Sequence, residues 1–444
     1  MKAGEASQRP AALSRRHIAA ATIGNALEFY DFLTYSFFAI EIGHAFFPTH
    51  NAYGSLMLSL ATFGAGFAAR PVGALVIGAY GDRVGRRPAM LLSFLLMGVA
   101  IVAMAVIPPY AVIGIAAPVL AILARLMQGF SLGGQIGSNT AFLLEAVAPE
   151  NRGLSVAWQG ASQNAALFAA SLVGIALTTL LPASLLDAWG WRIAFLLGAV
   201  TVPFGLWLRR TLPETIHAPE VLMPTQARDR APATRLDLAG RHWRIMVLGL
   251  FVLGAGTVAN YVGVYAVTYA QNALHLSART GFIAESGNTL ISIPAVLLGG
   301  WLSDRHGRWP VNVWTNFVLL VLILPLFAWM VSAQSATALI VGMTILGVFT
   351  NLNFGSFAAA LSESLPKSIR ATGFATVYSV AIAALGGTTQ FVVTWLIHVT
   401  GSAMAPGWYM LGAAVIGQVA LMLIPESAPR CLQRSPAVFA APAE

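Results

Sequence analysis

Two carboxylates, Glu28 and Asp31, sit in the middle of an apolar stretch from His17 to Gly43, inside the run GNALEFYDFLTY. About 20 apolar residues carry a helix across a bilayer, so both acids fall near mid-membrane. An aspartate at that depth costs about 2.5–3.5 kcal/mol on insertion scales, so it must face protein or a water-filled cavity. At helical spacing Gly24, Glu28, Asp31 and Tyr35 share one stripe, which is expected to aim both acids the same way. Such a pair either carries protons or is neutralised by an arginine to hold helices together. All eight histidines fall in loops or at helix ends, and of the other carboxylates only Glu285 approaches mid-membrane, in the outer third of its span. If protons are coupled, the Glu28–Asp31 pair is therefore their expected binding place.

A cation stands at the same depth. Arg125, Gln128, Leu132, Gln135 and Asn139 recur every three or four residues, giving a polar stripe on a second apolar span. A guanidinium presents a rigid fork of donors that matches a carboxylate, whether that carboxylate belongs to a neighbouring helix or to a ligand. Arg125 and Gln128 are thus candidate substrate contacts, together with Asn25, Gln159, Gln163, Tyr261 and Asn353 on other spans. Hydrogen bonding between packed helices is the competing use of such amides.

The elements that position these residues follow from composition. With 57% hydrophobic and 9% charged residues and a mean hydropathy of +0.73, the chain is an all-α membrane protein. A net charge of +8 in a soluble domain would suggest nucleic acid. Here the basic residues lie between apolar segments, where the positive-inside rule accounts for them, and no nucleic-acid partner is expected. Twelve spans are expected near 17–43, 54–80, 88–107, 111–145, 153–182, 191–210, 245–272, 280–303, 311–331, 336–365, 370–400 and 405–425. Of the 25 Lys and Arg, all but Arg70, Arg125, Arg192 and Arg279 fall on the side of the termini, which predicts cytoplasmic ends. The expected organisation is a tail at 1–16, a six-helix half at 17–210, a cytoplasmic linker at 211–244, a second half at 245–425 and a tail at 426–444. The single cysteine, Cys431, can form no intrachain disulfide.

The halves repeat one another. Gly78-Ala-Tyr-Gly-Asp82-Arg83-Val-Gly85-Arg86-Arg87 follows the second span and Gly300-Trp-Leu-Ser-Asp304-Arg305-His-Gly307-Arg308 follows the eighth, with the two aspartates 222 residues apart in a chain of 444. Glu145 with Arg152 echoes Glu363 with Arg370, and Pro213-Glu214 echoes Pro425-Glu426. Duplicated six-helix halves around a midplane site are an architecture of secondary transporters.

The duplicated Gly-x-x-x-Asp-Arg-x-Gly-Arg motif resembles the signature of the major facilitator superfamily. GNALEFYDF, ARPVGALVIGAYGDRVGRR, ARLMQGFSLGG and AWGWRIAFLLG resemble its metabolite:proton symporter branch. FFPTHNAYGSLMLSLATFGAGF, AWQGASQNAALFAASLVG and LPKSIRATGFATVYS are similar to the citrate and tricarballylate symporters. Three positions depart from the branch: Gln135 stands where a glutamate is common, Val267 where a proline is usual, and Trp309 where a basic residue is expected.

The resemblance implies a functional monomer of twelve transmembrane helices in two pseudo-symmetric halves, in the inner membrane of a bacterium. It would import a small organic acid with protons by alternating access, and no cofactor or metal is expected. Asp31 and Glu28 would couple protons, and Gly78, Asp82, Arg83, Arg86, Glu145, Arg152, Asp304 and Arg305 would form the gating network at the cytoplasmic ends. A keto acid, an aromatic acid or a betaine remains open as substrate, as does efflux by antiport. A membrane enzyme is disfavoured, since no His-Glu-x-x-His, Gly-x-Ser-x-Gly or phosphate-binding glycine loop occurs.

Overall fold

Apolar runs bounded by glycine, proline and charge become long helices in the computed structural model, which describes residues 15–84, 86–133, 140, 143, 147–210, 242–366, 370–429 and 431. For 15–21, 28, 78, 79, 81–83, 86, 87, 90, 200–202, 204–210 and 370–372 it describes the backbone alone. Twelve rods follow in order among these residues. They are α1 (Arg15–Phe37, continued by Ala39–Phe46), α2 (Ala52–Ala68, continued by Arg70–Val84), α3 (Arg86–Val106) and α4 (Ala116–Gly133). Next come α5 (Arg152–Leu180), α6 (Trp191–Arg210), α7 (Trp243–Val264, continued by Ala266–Asn272) and α8 (Ala278–His306). The last four are α9 (Arg308–Ala333), α10 (Ala336–Glu363), α11 (Arg370–Ala381, Ile382–Gly386 and Gly387–Thr400) and α12 (Ala405–Leu423).

Twelve rods follow the order of the twelve expected spans, with one correction at a start, while the end of the fourth, expected at 145, lies outside the described residues. The fourth was expected to begin at 111, but residues Tyr110–Ile113 form a separate turn and Gly114, at φ +58°, breaks the path before α4 begins at Ala116. Only glycine adopts that left-handed backbone without strain, so the helix starts later than hydropathy suggested. Three other starts carry side-chain caps. Asn51 accepts from Gly54 N at 2.6 Å, and Ser277 and Ser335 accept from Thr280 N and Ala338 N at 3.2 Å.

Contacts define two faces. The starts of α5 and α9 meet the ends of α8, α10 and the segment after α12 on one, the near face. The end of α1 meets the approach to α6, and the start of α2 meets the end of α11, on the other, the far face. In lipid, helices associate through close packing rather than a hydrophobic drive, and small residues let backbones approach. A Cβ added at Gly129 of α4 would overlap the carbonyl of Gly66 in α2. Likewise α5 lies along α8 from the near face, where Gly153 meets Gly300, to the far side, where Gly174 meets Phe282. In α11 the wide π-type turn at Ile382–Gly386 interrupts the helix where Gly386 meets Tyr261 of α7.

Candidate functional site

Helix α1 is surrounded, and its residues divide among the surrounding helices. Asn25 donates to Ser162 Oγ at 2.8 Å and to Gln159 O at 3.3 Å, tying α1 to α5. Gln159 Oε1 accepts from Thr140 Oγ1 at 2.8 Å. Phe29 and Leu33 line a central cavity. Asp31 is 2% exposed and lies against α6, where a Cβ on Gly198 would strike its Oδ1. Tyr35 instead reaches α2, its hydroxyl donating to Ser59 O at 3.3 Å. Asp31 and Tyr35, which share one stripe by helical spacing, therefore meet different helices. Residues four apart on a helix are rotated by about 40°, and at a crowded crossing that offset is enough to change neighbours. The side chain of Glu28 lies outside the described residues.

Arg125 is fully buried, with a relative exposure of 0%. Its Nη1 donates to Gln128 Oε1 at 2.6 Å and to Phe32 O at 3.2 Å. The guanidinium stacks 4.2 Å from the ring centre of Phe32, 4.6 Å from that of Tyr35 and 5.1 Å from that of Phe63. Nε and Nη2 have no hydrogen-bond partner, and no described carboxylate forms an ion pair with Arg125. Arg70 shares the same aromatic wall, 4.5 Å from the ring centres of both Phe32 and Phe67. Two guanidinium groups thus flank one phenylalanine. Cation–π contact stabilises each by about 0.5–2 kcal/mol but satisfies no N–H in its own plane.

The cavity lies between the first six helices and the last six, with about 1010 Å³ of space, part of it open to solvent. Gln163, Tyr261 and Asn353, three of the candidate contacts, are on its wall, with Asn164, Asn260 and Asn351. Asn164 Nδ2 donates to Asn351 Oδ1 at 2.8 Å, a bridge from α5 to α10 across the cavity. Asn353 also donates to Asn312 O at 3.1 Å. Arg125, Gln128, Asn25 and Gln159 are not on the wall. Tyr261, on the wall, packs its ring edge-on against Phe67 at 5.4 Å and Phe63 at 6.3 Å, and Phe63 in turn lies under the Arg125 guanidinium.

At the near face a charge cluster closes α5 against α8, α9 and α10. Gly307, at φ +107°, turns the chain from α8 straight into α9 and brings Arg308 back under Asp304. Arg308 Nη1 donates to Asp304 Oδ1 and to Ser303 Oγ, each at 2.7 Å. Its Nε and Nη2 grip Glu363 at 3.1 and 3.3 Å, a two-pronged contact at the end of α10. Asp304 in turn accepts from Gly153 N and Leu154 N, each at 2.9 Å, so a carboxylate from α8 caps the start of α5. Arg152 approaches Glu363 at 4.0 Å. Glu426 caps α9 through Arg308 N at 2.9 Å and Trp309 N at 3.0 Å.

Arg305 is exposed and stacks on Trp301 at 4.1 Å, outside this cluster. For Gly78, Asp82, Arg83 and Arg86 the backbone is helical, while their side chains, and all of Glu145, lie outside the described residues. Sequence reasoning named Asp304 but passed over its partner Arg308, although the four-residue spacing of opposite charges was a signal. It also passed over Asn164, adjacent to Gln163 and visible only as another polar residue on an apolar helix.

Twelve helices among the described residues, packed around a central cavity that carries several amide side chains, with a charge cluster fastening the two sets at one face, define a membrane transporter. The family model of the Major Facilitator Superfamily matches residues 21–387, and the chain belongs to that family, as a multi-pass membrane transporter rather than an enzyme. It is 36% identical to the citrate-proton symporter of Salmonella typhi over 406 residues, covering 91% of this chain and 92% of that protein. It is 30% identical to the proline/betaine transporter of Escherichia coli over 435 residues, covering 94% and 85%. The crystal structure of a D-xylose-proton symporter superposes with a TM-score of 0.73 at 16% identity, covering 93% of this chain and 98% of that one, and shares the fold.

Proposed function

We propose that this chain is a proton-coupled symporter that imports a small organic acid, a di- or tricarboxylate such as citrate or tricarballylate. The observation that carries the proposal is Arg125, a fully buried guanidinium with two nitrogens unsatisfied and no ion-pair partner among the described carboxylates. An acidic ligand supplies what the fold withholds. The citrate-proton symporter relative supports the same substrate class. Moving one negative charge inward against 100 mV costs about 2.3 kcal/mol, so import of an anion requires a coupled cation.

In this reading the halves 17–210 and 245–425 rock about the cavity, joined by the 211–244 linker, and the near face is cytoplasmic. The protein works as a monomer in a bacterial inner membrane. Substrate enters among Gln163, Tyr261 and Asn353, and the Phe32–Phe63–Phe67 wall yields to bring its carboxylates onto Arg125 and Gln128. Asp31 and Glu28 take the protons. Asp304, Arg152 and their partners, with the equivalent motif at Gly78, Asp82, Arg83, Arg86 and Glu145, hold the cytoplasmic gate, and Arg305 flanks it.

The proline/betaine transporter relative supports a second reading, a zwitterion as substrate. One experiment separates them. Purified protein in liposomes is offered labelled citrate, tricarballylate, dicarboxylates, proline and glycine betaine, with and without an inward proton gradient. Gradient-driven uptake of a di- or tricarboxylate is expected. Uptake of proline or betaine alone refutes the organic-acid assignment, and uptake indifferent to the gradient refutes symport.

A further inference from the structure

Glu285 lies in α8, seven residues from its far-face start, about 10 Å into the helix at 1.5 Å per residue. It is 1% exposed. Oε2 accepts from Asn288 Nδ2 at 3.2 Å, and Oε1 has no hydrogen-bond partner. Asn288 is held in place from behind, since its Oδ1 presses on Gly347 of α10 and accepts from Ser292 Oγ at 3.4 Å.

The carboxyl group opens into a recess of its own. Its described wall comes from α5 (Asn164, Leu167), α7 (Ala259, Asn260 and Val262 to Val264), α8, α10 (between Met343 and Asn351) and α12 (Met410), and Glu285 is the sole ionisable side chain on it. Asn164, Asn260, Thr350 and Asn351 also wall the central cavity, so the recess is a side branch of that cavity. Four amide side chains, those of Asn164, Asn260, Asn288 and Asn351, make it polar enough for water to enter.

An ionised carboxylate in this setting would have one amide donor and no cation. Burying an isolated charge is far more costly than burying a neutral, hydrogen-bonded group, and such a group neutralises itself. The only neutralising agent that the wall admits without a new side chain is a proton. A sodium ion needs several oxygen ligands, and Asn288 turns its donor side to the carboxylate.

We propose that Glu285 is a proton-binding carboxylate of the second six helices, holding its proton while it is buried as here and exchanging it when the central cavity widens and carries water to it. The proposal rests on the symport reading and adds to it a coupling group distinct from the Glu28–Asp31 pair. Its place beside the Asn164–Asn351 bridge puts the bound proton next to the polar contact that spans the cavity. Binding forms the O–H bond of a carboxylic acid at Oε1, and release returns that proton to water.

Two measurements on the full-length protein in lipid test it. Infrared difference spectroscopy between acid and alkaline buffer, without substrate, should show a protonated-carboxyl carbonyl band that Glu285→Gln abolishes and Glu285→Asp retains at shifted frequency. An unchanged band in Glu285→Gln overturns the proposal. In liposomes, the steady-state accumulation ratio of citrate is then plotted against the imposed proton gradient. Loss of one coupled proton lowers that ratio by about tenfold per pH unit of gradient. Glu285→Gln is expected to lose that factor while Glu285→Asp keeps it. An unchanged slope in Glu285→Gln, or a dependence that follows sodium instead, overturns the proposal. A wild-type protein that concentrates no organic acid in response to protons overturns the symport reading itself, a result visible before any variant is made.

Discussion

Replacing Asp304 by asparagine should open the near face. In the structure Oδ1 accepts from Gly153 N at 2.9 Å and Arg308 Nη1 at 2.7 Å, while Oδ2 accepts from Leu154 N at 2.9 Å. Asparagine keeps one acceptor oxygen, and in either orientation its NH₂ group confronts at least one donor. Losing one hydrogen bond to a charged group removes about 1.5–3 kcal/mol. Removing the negative charge from the start of α5 removes about 0.3–1 kcal/mol more. The combined loss, about 2–4 kcal/mol, falls on the arrangement in which α5 touches α8. It shifts the balance toward separated helices by about 30- to 700-fold. The fold itself is expected to survive, because Arg308 keeps both bonds to Glu363.

The assay is pulsed electron spin resonance between labels at Asn151→Cys and His306→Cys, both exposed, in a Cys431→Ser background. Asp304→Asn should move most of the distance distribution to longer values, with net uptake falling more than equilibrium binding. A distribution identical to that of the parent would refute the reasoning, because the near-face caps would then contribute nothing to closure.

Three further outcomes are expected. Arg125→Lys should weaken organic-acid binding by about ten- to a hundredfold although the charge is kept, because lysine lacks the planar fork; equal affinity by calorimetry would exclude Arg125 from the site. Asp31→Asn should uncouple uptake from the proton gradient more than it slows counterflow, and the double variant with Glu28→Gln should be the more completely uncoupled; concentrative uptake by the double variant would show that the α1 acids are structural. Gly129→Val should cost about 1–3 kcal/mol or more, because its Cβ would occupy the position of the Gly66 carbonyl oxygen; a thermal midpoint equal to that of wild type would contradict the described crossing of α2 and α4.

The number of helices and most of their ends were legible in the chain itself. Crossing a membrane demands internally satisfied backbone and about 20 apolar residues per crossing, constraints written locally in composition. The duplicated motif pointed to the family for a similar reason, since its glycine and its charges sit at fixed short spacing around one turn. That Gln163, Tyr261 and Asn353 share a cavity was within reach of periodicity, because each is a polar residue on an otherwise apolar rod.

Tertiary structure alone decided which neighbour each polar residue meets. Helical periodicity fixes the angle between Asp31 and Tyr35 but not the helix opposite each, so only the packed structure shows Asp31 on α6 and Tyr35 beside Arg125. The same holds for Arg308, whose value depends on Gly307 folding it back under Asp304 while Glu363 arrives from another helix. It holds also for Glu285, one acid among seventeen in the sequence. Five helices wall it with no described cation, and the absence of an opposite charge is a property of the surroundings that no stretch of sequence encodes locally.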